Sequence, residues 1–89
     1  MYIDFVAGNK TYKLRMNTRS VVALERQLGS NPLAIFGDGD TIPTVEVMVT
    51  ILHASLQQFN HGMSLNDAYD LFDTWIEEGN STVDFINLI

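Results

Sequence analysis

The chain has no cysteine, so it can form neither a disulfide staple nor a thiolate site. That absence fits a reducing cytoplasm. No apolar stretch approaches the ~20 residues needed to cross a bilayer, because polar residues interrupt every one. The start, Met1-Tyr2-Ile3-Asp4, lacks the basic and apolar regions of a secretory leader. Basic residues are also scarce and confined. Lys10, Lys13, Arg15, Arg19 and Arg26 are all there are, and no lysine or arginine follows Arg26. The first 26 residues carry a net +3. From Gln27 onward nine acidic residues stand alone, a net of −9. A segment of that sign offers no basic groove to a phosphate backbone, which argues against nucleic-acid binding. With 89 residues there is material for one domain, 1–89, and its stability margin is thin.

What is present points to an α+β, mainly α, domain: an N-terminal β-hairpin packed on a bundle of about four helices. Ile3, Phe5 and Ala7 alternate with Tyr2, Asp4 and Val6, and Tyr12, Leu14 and Met16 alternate with Lys13 and Arg15. Gly8-Asn9 between them suits a two-residue turn with positive φ. The hairpin then spans 2–16, with Phe5 facing Tyr12, Ile3 facing Leu14, Asp4 facing Lys13 and Tyr2 facing Arg15. A lone hairpin is marginal in water, so its apolar face must pack on helices.

Helices follow at about 18–28, 32–36, 43–60, 65–78 and 81–88. The first is capped by Thr18 or Asn17, ends at Gly29 and buries Val21, Leu24 and Leu28. Pro32 opens a single turn through Phe36. The 43–60 helix is apolar around most of its circumference, with a narrow polar stripe of Glu46, Thr50, His53, Gln57 and Asn60. Such a helix is central in the core or covered by a partner. Ser64 with Asp67, and Ser81 with Asp84, have the spacing of capping boxes. Leu65, Ala68, Tyr69, Phe72, Trp75 and Ile76 form the expected buried face of the 65–78 helix.

Candidate chemistry is sparse. Asp38-Gly39-Asp40 begins like a calcium loop, but Pro43 sits where such a loop needs glycine and Val49 where it needs a bidentate acid. His53 and His61 have no metal-ligand spacing, and His61 suits a helix C-terminus. The residues therefore predict no enzyme, cofactor or metal site. Two surfaces remain. Asp67, Asp70, Asp73 and Glu77 share one side of the 65–78 helix. They are either a solvated face or a contact for Lys13, Arg15 and Arg19 of a neighbouring copy. Phe85, Ile86, Leu88 and Ile89 form an apolar tail that either completes the core or offers itself to a partner.

Several strings, in order, carry a family resemblance. Leu14-Arg15-Met16 leads to Ala23-Leu24-Glu25, Leu28-Gly29, Asn31-Pro32-Leu33 and Ile35-Phe36. Ile51-Leu52-His53-Ala54-Ser55-Leu56 and Asn60-His61-Gly62 follow, then Ala68-Tyr69-Asp70-Leu71-Phe72-Asp73 and Trp75-Ile76-Glu77-Glu78-Gly79. Across roughly residues 12–88 the chain resembles the tail assembly chaperones of long-tailed, siphovirus-type phages and prophages of Gram-positive bacteria. The resemblance implies a protein that coats the tape measure protein as an oligomer during tail morphogenesis, in the cytoplasm of the bacterial host, and is absent from the mature virion. It also implies that a frameshifted longer form recruits tail tube protein, with this chain as the short form. An acidic DNA-mimic inhibitor and a structural head–tail or tail component are the alternatives. Neither nucleic acid nor membrane is an expected partner.

Overall fold

The computed structural model describes residues 2–15, 17–29, 44–60 and 62–88. The expected turn of helix at 32–36, the Asp38-Gly39-Asp40 loop, His61 and Ile89 lie outside these residues. The described part is α+β and mainly α. It comprises strands β1 (Ile3–Ala7) and β2 (Lys10–Leu14) and helices α1 (Thr18–Leu28), α2 (Val45–Leu56), α3 (Leu65–Glu77) and α4 (Thr82–Leu88).

The hairpin has the register its alternation predicts: Ile3 opposite Leu14, Asp4 opposite Lys13 and Phe5 opposite Tyr12. The turn works because Gly8 (φ 59°) and Asn9 (φ 64°) both adopt left-handed backbone, which matches the twist of the flanking strands. Phe5, Ala7 and Leu14 turn inward and are buried, while Asp4, Val6 and Lys13 face solvent. Two hydrogen bonds tie the end of the hairpin to α2 and to the segment that follows it: Arg15 N donates to Ser55 O (2.9 Å), and Asn60 Nδ2 donates to Lys13 O (3.4 Å).

Asn17, rather than Thr18, caps α1, accepting from Ser20 N at 2.9 Å. Its Nδ2 donates to Gln58 Oε1 at 2.8 Å, so the cap also fastens α1 to the end of α2. At the other end Gly29 takes the left-handed conformation (φ 70°). Of the expected stripe, Leu24 is fully buried and Val21 half-buried; the Leu28 side chain lies outside the described set.

α2 is the centre of the domain. Eight of its twelve residues are buried, and it packs against α1, α3 and β2. Two of the eight are polar and both are satisfied within the helix: Thr50 Oγ1 donates to Glu46 O and Ser55 Oγ to Ile51 O, each at 2.8 Å. This corrects the expected polar stripe, since Thr50 is core, its hydroxyl made compatible with burial by the backbone carbonyl four residues back. The helix also stops earlier than its apolar run suggests. Gln57 Nε2 donates to His53 O (3.0 Å) and to Met63 O (3.1 Å), taking a last-turn carbonyl and drawing the chain into the next connection. Phe59 is consequently exposed.

Ser64 and Asp67 form the predicted capping box at α3, with Asp67 N donating to Ser64 Oγ (3.1 Å) and Ser64 N to Asp67 Oδ2 (2.9 Å). Ser81 and Asp84 repeat it at α4, at 2.8 and 3.2 Å. Replacing Ser64 with alanine is expected to destabilise the domain by about 1 kcal/mol. That corresponds to a melting temperature roughly 4–8 °C lower for a domain of this size, readable by circular dichroism. The buried face of α3 is Ala68, Leu71, Phe72 and Trp75. Tyr69, expected inside, is exposed: it sits on the flank of the stripe formed by Ala68, Leu71, Phe72 and Trp75.

Candidate interaction surface

The core gathers four aromatic rings from three elements. Phe5 of β1 lies 5.1 Å from Trp75 of α3 and 6.5 Å from Phe85 of α4. Phe72 lies 5.8 Å from Trp75 and 5.4 Å from Phe85, and Trp75 lies 5.9 Å from Phe85. The edge-to-face and tilted arrangements place ring edges against ring faces, which adds to the area they bury. This cluster bears on the apolar tail at Phe85. Phe85 has no exposed surface and completes the core, so it is not free to dock a partner. Ile86 and Leu88 pack against the same core. The partner reading is therefore set aside for Phe85 alone: Ile86 and Leu88 are only half-buried, and Ile89 lies outside the described residues.

The charged candidates are all exposed. Lys13 lies on the outer face of β2, Arg15 just beyond it, and Arg19 in the first turn of α1. Asp67, Asp70, Asp73 and Glu77 run along α3, on the side away from its buried stripe. Two of these placements oppose the helix dipole. Arg19 puts a cation near the positive N-terminal end of α1, which has no acid in its first turn. Glu77 puts an anion at the negative end of α3, which has no base in its last turn. Each is unfavourable by roughly 0.3–1 kcal/mol in an isolated, exposed helix. An opposite charge brought by a neighbour relieves both. Asp67 and Asp70 also edge a cleft of about 290 Å³ between α3 and the hairpin turn, with Tyr12, Met63 and Leu71 in its wall.

One surface feature escaped the sequence reading. Tyr2 and Phe59 are both about half exposed and meet edge to face at 6.1 Å. The Lys13 ammonium stands 4.5 Å above the Tyr2 ring, a cation–π contact. Tyr2 shares the outward phase of Asp4 and Val6, which was the available signal. Phe59 gave none, because it continues the apolar run of α2.

His53 has a structural setting. It is half-buried, and its Nε2 lies 3.1 Å from Met63 O, beside Gln57, across the connection into α3. Among the described residues, no group of three or more histidine or acidic side chains could hold a metal ion. Among the same residues, no helix is long and apolar enough to cross a membrane. No protein-family model, curated protein or solved structure matches the chain.

Proposed function

We propose that this chain is a non-enzymatic binding module, a phage tail assembly chaperone that keeps the tape measure protein soluble as an oligomer arrayed along it. In this reading it acts in the cytoplasm of the bacterial host and leaves before the virion matures, and a frameshifted longer form recruits tail tube protein. The observation that carries the reading is the separation of exposed charge. Lys13, Arg15 and Arg19 cluster on the hairpin and the start of α1, and four acids line α3. Each set includes a charge that its own helix end disfavours. Surfaces of opposite sign on one subunit join copies head to tail, and such heterologous contacts build rings or helical arrays. The ordered strings of the family resemblance supply the identity of the client. Their longest apolar member, Ile51–Leu56, forms the centre of the core, so the strings reflect the packing of this fold as well as its surface.

Co-expression with the neighbouring long, helical reading frame tests the client. The expected result is that the helical protein is recovered soluble only when this chain is present; equal solubility without it overturns the reading. Sedimentation across a salt series tests the assembly. Association at low salt is expected to weaken as ionic strength rises, because exposed charge pairs are screened beyond about 10 Å at 0.1 M. Reversing Lys13, Arg15 and Arg19 together to glutamate is expected to abolish it. A monomer at low salt and high protein concentration rules out the head-to-tail contact.

A further inference from the structure

β1 has an outer edge that no described strand covers. In a hairpin closed by a two-residue turn, the pair flanking the turn exchanges both hydrogen bonds, and bonded and non-bonded pairs then alternate along the ladder. Here Ala7–Lys10, Phe5–Tyr12 and Ile3–Leu14 are the bonded pairs. The backbone N–H and C=O groups of Asp4 and Val6 therefore point away from β2. Among the described residues, no other strand pairs with that edge. The Gly8 N–H, next along on the same side, is already taken by Glu78 Oε1 at 3.0 Å.

This edge opens onto a groove of about 500 Å³ between β1, the C-terminal end of α3 and α4. Phe5, Val6, Trp75 and Leu88 contribute its apolar lining, and Asp4, Glu78 and Asp84 give it three carboxylates. Among the described residues, no lysine or arginine lines it. Lys13, opposite Asp4 on the ladder, is drawn over the Tyr2 ring instead.

We propose that this groove takes an extended polypeptide segment of alternating basic and apolar residues from another protein, added as a third strand to β1. Backbone pairing along an open edge supplies register, and alternate side chains supply selectivity. The apolar side chains of the segment point inward to Trp75 and Leu88. Its basic side chains lie on the outer face beside Asp4. A second copy of this chain fits less well. Its basic strand, β2, is paired to β1 on one side, and on the other Lys13 O and Arg15 N are held by Asn60 and Ser55. Two β1 edges brought together would oppose one acidic groove with another. The site does not depend on the tape measure reading: its failure leaves that reading standing, and a failed co-expression leaves the groove intact.

The test uses the full chain and an acetylated, amidated octapeptide of alternating lysine and valine. Trp75 is the only tryptophan, so its fluorescence reports occupancy of the groove directly. The peptide is expected to shift that fluorescence and to slow hydrogen exchange at the Asp4 and Val6 amides. A glutamate–valine octapeptide is expected to do neither. Two further peptides are N-methylated, one at every lysine amide and one at every valine amide. In an edge-paired strand one set faces β1 and the other faces away. One methylated peptide is therefore expected to bind at least about tenfold more weakly while the other binds like the parent. Val6→Pro, which removes a donor where an edge strand tolerates proline, is expected to abolish binding. The methylated peptides leave the protein unaltered, so they decide the matter even if that variant misfolds. Equal binding of both methylated peptides overturns the proposal, as does protection confined to the Asp67–Glu77 face of α3. Protection of Asp4 and Val6 that rises with protein concentration alone would assign the edge to a second copy and overturn it too.

Discussion

Replacing Phe85 with alanine is expected to remove a large share of the stability of this domain. The side chain is fully buried and touches rings from β1 and α3, so its loss leaves a cavity that three elements share. Truncating a buried phenylalanine costs about 3–5 kcal/mol. Small domains are stable by only about 5–15 kcal/mol in total. The melting temperature should fall by on the order of 20 °C. Val83→Ala is the matched control, since Val83 lies on the same helix but is 57% exposed; it should change stability by less than about 0.5 kcal/mol. A Phe85→Ala protein that melts within a few degrees of the parent would show that α4 is not part of the core, and would return the tail to the list of docking surfaces.

Leu24→Ala should have the next largest effect, and a more local one. Leu24 is the only described side chain of α1 that is fully buried, and α1 packs chiefly on α2. The cost is about 2–5 kcal/mol. The loss falls on the most buried described anchor of one helix, leaving the half-buried Val21 and the Asn17–Gln58 hydrogen bond at its N-cap. Amides of α1 are therefore expected to exchange through local opening while those of α2 and α3 stay protected. Hydrogen exchange followed by NMR checks this. Equal loss of protection in all three helices would mean that α1 unfolds only with the whole domain. The consequence for assembly is direct: Arg19 sits in the first turn of α1, so undocking the helix should also weaken salt-sensitive association.

Much of the local structure was legible in the sequence because it is dictated locally. Gly8-Asn9 admits few turns other than one with positive φ at both positions, and that turn sets the register of every pair from Ala7–Lys10 to Ile3–Leu14. Ser64 and Ser81 cap their helices because the acid three residues on can close the reciprocal hydrogen bond. The charge split needs no structure at all.

What the tertiary structure decided is which apolar residues share the limited interior. Phe59 and Tyr69 have the hydrophobicity of core residues yet lie outside, while Thr50, with a hydroxyl, lies inside. Periodicity ranks faces but cannot tell how far a neighbouring element covers them. The aromatic cluster is the clearest case. Phe5, Phe72, Trp75 and Phe85 are drawn from three elements up to 80 residues apart in sequence, and each fills the space left by the others. The candidate surfaces divide in the same way. The exposed charges of α3 follow from one helix's own spacing. The groove beside β1 exists only because α4 folds back against the hairpin, setting Asp84 and Leu88 across from the free edge at Asp4 and Val6.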